Sequence, residues 1–323
     1  MQQRPLGRSG LAVSRLALGT MTWGRDTDPD DAAAQLKFFL EAGGTLLDTA
    51  DVYGHGTAEA VIGTLLDQLV PRDEVLIATK AGLTRDPDRR RDGSRGNLLR
   101  SLDRSLRRLG TDYVDLWQVH GHDPLTPFEE TLAALDAAVT SGRVRYVGLS
   151  NFAGWQTAWA AAWQSGYPGR APIVATQMEY SLVERGIERE VIPAAAALGI
   201  GVLAWSPLGR GVLTGKYRTG RPAGSRAVSE HFGPFVQCYL EPRSSSIVEA
   251  VVTAAGGLGV SPLEVALAWV RDRPGVTAPI LGARTAGQLH SALRSDDLDL
   301  PVEIAQALDD VSAIEVGYPE RDD

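Results

Sequence analysis

The chain has 323 residues, of which 44% are hydrophobic and 22% are charged, a composition typical of a globular protein. Its net charge of −8 argues against DNA, another nucleic acid or an anionic membrane as a partner. The single cysteine, Cys238, cannot form a disulfide within the chain, so nothing requires an oxidising compartment. The N-terminal residues match a signal peptide poorly, and we therefore predict a cytoplasmic protein.

Eight short β-branched or aliphatic runs recur along the chain. They occupy residues 16–19, 45–48, 75–79, 113–120, 144–149, 173–177, 200–205 and 277–281. The runs are almost continuously apolar, which is typical of strands buried on both faces of a parallel sheet. Their starts lie 27 to 38 residues apart, except for the last gap.

Amphipathic helical patterns fill the gaps between these runs. One of them, with leucines on one face, ends at Gly110, and another begins at Asp28. Capping boxes with proline at the first helical position are predicted at residues 126–129 and 261–264. An extra C-terminal helix is expected over residues 301–314.

Eight strands alternating with helices predict an α/β fold, a (β/α)8 TIM barrel that forms one domain over residues 1–323. A doubly wound open sheet is the alternative. The long gap after the seventh strand holds an insertion, residues 207–243, which we expect to form a loop over the active-site face. It is rich in glycine, proline and aromatic residues, the last being Tyr217, Phe232, Phe235 and Tyr239.

Two glycine-rich stretches resemble nucleotide-binding motifs without matching them. The stretch that begins Gly54-His55-Gly56 nearly fits a dinucleotide fingerprint, but Glu59 would repel a pyrophosphate. The stretch from Gly211 to Lys216 is one residue short of a P-loop and lacks its Ser or Thr. We therefore assign neither motif.

Ionisable residues follow three neighbouring strands of the predicted barrel. Asp48 ends the second strand and Tyr53 lies in the loop after it, while Lys80 and His120 end the third and fourth strands. Because the carboxyl ends of all strands converge at one face of a barrel, we expect these four side chains to meet.

The four residue types suit the reduction of a carbonyl group. A tyrosine is a weak acid, and the ammonium of Lys80 would lower its pKa. Asp48 would keep Lys80 charged, and His120 can donate a hydrogen bond to the oxygen that Tyr53 protonates. Together they would form a general acid and an oxyanion site.

A different interpretation assigns His120 and His122 to a zinc site, as in metal-dependent hydrolases built on a barrel. Such a site needs further ligands at later strand ends, and His55, His231 and His290 do not lie there. We therefore expect no metal, and the hydrolase is kept as an alternative.

Seven ordered stretches resemble the aldo-keto reductases. They are LLDTADVYG, LIATKAG, SLDRSLRRLGTDYVDLWQVHG, GRVRYVGLSNF, ATQMEYSLVER, LAWSPLGRGVLTGKY and PILGARTAGQL. The resemblance implies a (β/α)8 barrel without a metal and NADPH-dependent reduction of aldehydes or ketones. It makes Tyr53 the proton donor, Lys80 and Asp48 its supports, and His120 the residue that orients the carbonyl.

The resemblance also implies where NADPH binds. Ser150, Asn151 and Gln177 would bond the nicotinamide carboxamide, and Trp205 would stack on the ring. Lys216 and Arg284 would meet the 2′-phosphate, with Gln288 at the adenine. The remaining expected contacts are Ser206, Pro207, Leu208, Gly209, Arg210 and Gly211 around the pyrophosphate, together with Gly19, Thr20, Met21, Gly282 and Ala283.

For the substrate, a small-molecule carbonyl compound, the expected pocket includes Trp23, Val52 and Gly121 together with aromatic residues of the 207–243 insertion. Two positions depart from the family pattern. Ala292 stands where relatives often carry an asparagine that touches adenine, and Gly121 stands where many carry a larger side chain. A second alternative function is an NADPH-binding regulatory subunit that resembles potassium-channel β-subunits. The sequence leaves the oligomeric state open.

Overall fold

The computed structural model of the protein describes residues 1–222, 225–229, 233–315 and 317–318. Within these residues the strands are Gln3–Pro5 (β1), Ala12–Ser14 (β2), Ala17–Gly19 (β3), Leu46–Asp48 (β4), Leu76–Ala81 (β5), Val114–Val119 (β6), Val144–Ser150 (β7), Ile173–Glu179 (β8), Gly201–Trp205 (β9) and Val276–Gly282 (β10). The helices are Pro29–Glu41 (α1), Thr57–Gln68 (α2), Arg95–Leu109 (α3), Phe128–Thr140 (α4), Gly154–Ser165 (α5), Val191–Leu198 (α6), Gly233–Gln237 (α7), Pro242–Leu258 (α8), Pro262–Arg271 (α9), Ala286–Leu293 (α10) and Val302–Ser312 (α11).

Strands β3 to β10 form one closed barrel of parallel strands, with β10 hydrogen-bonded to β3 at the point of closure. The predicted (β/α)8 barrel is therefore confirmed, and the open doubly wound sheet is wrong because the sheet has no free edge. All eight predicted runs became barrel strands, with ends that lie within two residues of the prediction. The expected C-terminal helix is α11.

Apolar side chains form two layers, as the alternation of a buried strand requires. The larger layer lies between the outside of the barrel and the surrounding helices, and it includes Leu47, Ile77 and Trp117. The smaller layer fills the barrel interior with Leu46, Ala78 and other inward residues. The barrel is thus a packed core that supports side chains at its mouth.

An N-terminal hairpin of β1 and β2 covers the end of the barrel at which the strands begin. The sequence patterns did not predict this hairpin. The two strands pair antiparallel, with Gln3 opposite Ser14. Leu6, at the turn, is fully buried and belongs to the interior layer of the barrel. A Cβ on Gly7 would lie 2.5 Å from the carbonyl oxygen of Gly199, so only glycine permits this close contact.

The predicted helix caps are present with one exception. Asp28 accepts a hydrogen bond from the backbone N–H of Asp31, and Ser261 and Glu264 form a capping box. The predicted box at residues 126–129 is wrong, because α4 begins at Phe128 and Thr126 donates its hydroxyl to Asp123 over 2.6 Å. The Thr126 hydroxyl oxygen also accepts from Nη2 of Arg89 at 3.1 Å, so both the proton and the oxygen of this hydroxyl are engaged in the turn before α4.

The 207–243 insertion is partly helical where it is described. It contains 3-10 turns at Gly209–Thr214 and Arg226–Val228, followed by α7. Phe232, predicted to lie over the site, and His231 fall outside the described residues.

No single helix among the described residues is long and apolar enough to cross a membrane. Helices α8 and α9 reach that length and composition only together, and they are bent by 102° relative to each other.

Candidate active site

The structure brings the four ionisable residues together at the carboxyl-terminal end of the barrel. Asp48 is the last residue of β4, Lys80 lies near the end of β5 and His120 directly follows β6. These three strands are neighbours in the barrel. Tyr53 begins a tight turn after β4, Tyr53–Gly56, which returns its phenol to the mouth.

The turn after Tyr53 explains the glycine-rich stretch that nearly matched a dinucleotide fingerprint. Gly54, His55 and Gly56 all have positive φ angles, of 52°, 64° and 92°. Two glycines make this left-handed backbone possible at little steric cost. Glu59, which follows in α2, is fully buried and accepts hydrogen bonds from Thr79 and Arg108. The stretch therefore shapes the Tyr53 turn.

Lys80 is the centre of the contacts at the barrel mouth. Its Nζ lies 2.8 Å from Oδ2 of Asp48, 2.8 Å from the carbonyl oxygen of Thr49 and 3.3 Å from the phenolic oxygen of Tyr53. Lys80 is fully buried and Asp48 is only 3% exposed. The carboxylate of Asp48 thus compensates the charge of the buried ammonium, and the ammonium also donates a hydrogen bond to the Tyr53 phenol.

The pKa values of Lys80 and Tyr53 follow from this arrangement. Burial opposes the charge of Lys80, but Asp48 and Tyr53 outweigh it and raise the pKa of the ammonium. Burial also raises the pKa of the Tyr53 phenol, and Lys80 lowers it only in part. The predicted effect of Lys80 on the phenol pKa is therefore present, but burial outweighs it and the net pKa is raised.

His120 is held as a neutral imidazole beside the phenol. Burial, and then the charges of Lys80 and Arg91, keep the pKa of His120 well below its usual value. Its ring meets the Tyr53 ring edge-on, with 6.0 Å between the centroids. Its Nδ1 is buried and has no hydrogen-bond partner among the described residues.

The amides expected at the nicotinamide form a network with the site. Gln177 donates from Nε2 to Oδ1 of Asp48 over 2.7 Å. Asn151 donates to the backbone oxygen of His120 and to the hydroxyl of Ser150, at 3.0 and 3.1 Å. Its Oδ1 accepts from the indole of Trp205 at 3.0 Å. The ends of β7, β8 and β9 are therefore joined to β4 and β6 by side chains.

The segments expected around the nicotinamide and the pyrophosphate contain unusual backbone conformations. Asn151, Ser206 and Arg210 have φ angles of 60°, 59° and 58°, which non-glycine residues rarely adopt. A Cβ on Gly211 would lie 2.8 Å from Nζ of Lys216, so the glycine leaves space for this lysine to fold over the turn. Strained residues of this kind concentrate at ligand sites.

The guanidinium of Arg210 is already engaged by Glu179, a residue that the sequence patterns did not indicate. Nε and Nη2 of Arg210 bond the two carboxylate oxygens at 3.0 and 2.7 Å. Glu179 lies two residues after Gln177 on the same strand, and period-two spacing could have placed it on the same face. Arg210 therefore anchors the segment that a pyrophosphate would contact.

The remaining cofactor candidates lie at the ends of β3 and β10. A Cβ on Gly19 would lie 2.8 Å from Cγ2 of Ile280, so the two strands can approach only because residue 19 is glycine. Thr20 donates its hydroxyl to the Asp48 backbone at 3.0 Å. Gln288 accepts from the backbone N–H of Arg284 at 2.9 Å and so fixes the turn before α10. Met21, Gly282 and Ala283 lie in the same two segments.

The expected substrate pocket is changed at two positions. Trp23 is fully buried and donates to Gln35 of α1 at 3.1 Å, so the prediction that it lines the pocket is wrong. The indole of Trp23 packs in the core between the barrel and α1. Val52 is partly buried beside Tyr53. At Gly121 the space that a side chain would fill holds Arg91, whose Nε would lie 3.1 Å from an added Cβ.

The proposed zinc pair does not converge. The His122 ring packs edge-on against Phe128 and Phe152, at centroid distances of 5.5 and 5.7 Å, whereas His120 faces Tyr53. Within the described part of the chain, no group of three or more His, Cys, Asp or Glu side chains is placed to hold a metal ion.

Comparison with known proteins agrees with this architecture. The model of the aldo/keto reductase family matches residues 15–313. The "Uncharacterized oxidoreductase YrpG" of Bacillus subtilis (strain 168) is 39% identical, with 96% of each chain covered. "Aldo-keto reductase YhdN" of the same organism is 32% identical, over 90% of this chain and 87% of the relative.

A "Probable voltage-gated potassium channel subunit beta" of Oryza sativa subsp. japonica is also similar, at 35% identity over 99% of this chain and 98% of the relative. The family resemblance of the seven sequence stretches is thus confirmed across nearly the whole chain. The chain belongs to the aldo/keto reductase family, a family of oxidoreductases.

Proposed function

We propose that the protein is an NADPH-dependent reductase that converts an aldehyde or ketone to an alcohol, with Tyr53 as the proton donor. The observation that carries this proposal is the buried series of contacts from Asp48 through Lys80 to the Tyr53 phenol, at 2.8 and 3.3 Å. A hydrogen-bonded carboxylate, ammonium and phenol at the mouth of a barrel suit proton donation to a substrate that lies above them.

Tyr53 is protonated at neutral pH, because the pKa of a phenol is ordinarily about 10 and burial raises it further. As negative charge develops on the substrate oxygen, the phenol can transfer its proton to that oxygen. The phenolate left behind lies 3.3 Å from the Lys80 ammonium, which stabilises it in this buried site. Asp48 keeps Lys80 charged throughout.

His120 supplies a second hydrogen bond to the same substrate oxygen. The low pKa of its ring keeps the imidazole neutral. Because Nδ1 has no partner among the described residues, the tautomer with its proton on Nε2 is favoured, and Nε2 can then donate. Two donors aimed at one developing oxyanion lower the barrier to reduction.

The residues at the ends of β7 and β9 fit a dinucleotide. Asn151, Ser206 and Arg210 adopt strained backbone conformations, and Gly209 and Gly211 permit close approach of a phosphate. Lys216 and Arg284 are the cations that favour NADPH over NADH, because a 2′-phosphate binds them well. When bound, NADPH supplies the hydride, so that one carbonyl, one hydride and one proton give one alcohol and NADP⁺.

The test is the loss of NADPH absorbance with a panel of aldehydes and ketones. Tyr53→Phe should abolish turnover and leave NADPH binding unchanged, because only the acidic hydroxyl is removed. Tyr167→Phe, at an exposed tyrosine, is the control and should keep full activity. Near-normal turnover by Tyr53→Phe would overturn the assignment of the proton donor.

A regulatory role is the second candidate, and the 35% identity to a protein named as a probable channel β-subunit favours it. Such a protein would bind NADPH in the same cleft but turn over very slowly. Burst and steady-state measurements distinguish the two, because a regulatory subunit would give one turnover per site and then stop.

A further inference from the structure

Arg91 lies beside the residue proposed to orient the carbonyl. It belongs to the segment between β5 and α3, and its Nη1 donates to the backbone oxygen of His122 at 3.1 Å. An added Cβ on Gly121 would lie 3.1 Å from its Nε. The side chain therefore runs along the backbone of residues 120–122, in the space that glycine leaves open.

The charge of Arg91 acts at the carbonyl site. After burial and Lys80, Arg91 is a further cause that lowers the pKa of His120, and it also lowers the pKa of the His122 ring. The geometry agrees, because the guanidinium lies against Gly121, the residue that directly follows His120. Arg91 thus places a positive charge next to the imidazole that faces Tyr53.

The Arg91 guanidinium is not neutralised by any carboxylate in the part of the chain that the structure describes. Among the described residues, no carboxylate lies within the 4.0 Å of an ion pair with Arg91. Arg89, two residues earlier in the same segment, differs, because it pairs with Asp92 and Asp123 at 3.1 and 3.0 Å. Arg91 is exposed, so its remaining N–H donors are available to a ligand.

We propose that Arg91 is a specificity-determining residue that binds an anionic group, a carboxylate or a phosphate, on the carbonyl substrate. The planar guanidinium matches both anions by paired hydrogen bonds. An arginine at the site of the reaction selects substrates in which the anion and the carbonyl belong to one small molecule. This inference rests on the proposed reductase activity and specifies its substrate class.

The test compares matched pairs of aldehydes by kcat/KM with NADPH. One pair is 4-carboxybenzaldehyde and its neutral methyl ester, and the other is glyceraldehyde 3-phosphate and glyceraldehyde, which separates carboxylate from phosphate. The unmodified protein should prefer the anionic member of at least one pair. Arg91→Gln should lower kcat/KM for that member by roughly 10- to 100-fold, mainly through KM, and should change the neutral member less than about twofold.

Arg90→Gln is the matched control, because Arg90 is an exposed neighbour in the same segment, and it should leave both members unchanged. The unmodified protein gives an independent measurement, since the preference for the anion should shrink as ionic strength rises. Equal rates for both members of each pair, or an equal loss for both in Arg91→Gln, would overturn the inference while leaving the reductase intact. If no aldehyde or ketone is reduced, the proposed function itself fails, and this inference fails with it.

Discussion

Gln177 donates a hydrogen bond from Nε2 to Oδ1 of Asp48 over 2.7 Å, and this bond spans the mouth of the barrel. The two residues lie on β8 and β4, which are four strands apart in either direction around the closed sheet. The other oxygen of Asp48 accepts from Lys80. The buried carboxylate is therefore satisfied from two sides. Through Asp48 and Lys80, the amide proposed to bind the cofactor is linked to Tyr53, the proposed proton donor.

Replacing Gln177 by leucine should destabilise the protein. The change removes one donor and leaves an oxygen of buried Asp48 without a partner, which costs about 1–3 kcal/mol. Gln118→Leu is the matched control on β6, because Gln118 is fully buried and neither of its amide atoms has a partner among the described residues. Urea unfolding should show a loss for Gln177→Leu alone, and equal losses in both variants would contradict this.

Lys80→Met should lower kcat by roughly 10²–10⁴, because Tyr53 loses the charge that stabilises its phenolate. The same change leaves Asp48 as a buried charge without its cation, which costs about 3–5 kcal/mol in the free energy of unfolding. The double variant Lys80→Met with Asp48→Asn should recover part of this stability but no activity. Lys37→Met, at an exposed lysine of α1, is the control.

These two effects separate catalysis from folding. If the double variant regains activity together with stability, Lys80 acts only as a structural residue. Thermal unfolding and steady-state kinetics on the unmodified protein and its three variants distinguish the two roles.

The barrel and its four central residues could be predicted because both depend on short-range patterns. Each strand is an apolar run, and a residue at the end of such a run must lie at the mouth once the sheet closes. Asp48 and Tyr53 lie within one strand and its loop, and Lys80 and His120 lie at the ends of the next two runs. Their meeting at the mouth could therefore be predicted without knowledge of side-chain packing.

The remaining features depend on contacts between residues distant in sequence. Trp23 was expected in the pocket, but the core between β3 and α1 buried it, and no local signal distinguishes these outcomes. The position of Arg91 over Gly121 depends on the path of a loop, and loops carry no periodicity. The pairing of Arg210 with Glu179 joins two segments 31 residues apart.

Asp51, two residues before Tyr53, should make the stability of the protein depend on pH. Burial and then Glu59 raise the pKa of its carboxyl to about 7, against the opposing charges of Arg108 and Arg104. The unfolded chain releases this proton near pH ~4. The folded protein therefore binds more protons than the unfolded chain between about pH 4 and 7, so stability from this group falls as pH rises through that range.

Asp51→Asn should remove this loss, since the amide does not titrate. At each pH, the free energy of unfolding of the variant is compared with that of the unmodified protein. This difference should favour the variant by at least about 1 kcal/mol more near pH ~8 than near pH ~5, because one pKa unit corresponds to about 1.4 kcal/mol. Urea unfolding at the two pH values measures the difference. Asp67→Asn, at an exposed carboxylate of α2, is the control, and an equal pH effect in both variants would refute the assignment.

Arg210→Lys should weaken NADPH binding although it keeps the positive charge. Lysine cannot reproduce the two bonds to Glu179. It would also lose the contacts that the guanidinium makes with the rings of Trp205 and Tyr239, whose centroids lie 5.7 and 5.2 Å from it. Since these contacts hold the turn that follows β9, we expect the Kd for NADPH to rise roughly tenfold, the effect of one charged hydrogen bond. Arg218→Lys is the matched control, because its two bonds to Glu249 lie in an exposed pair. Titration followed by tryptophan fluorescence measures both Kd values, and an unchanged value for Arg210→Lys would show that the pair does not position the turn.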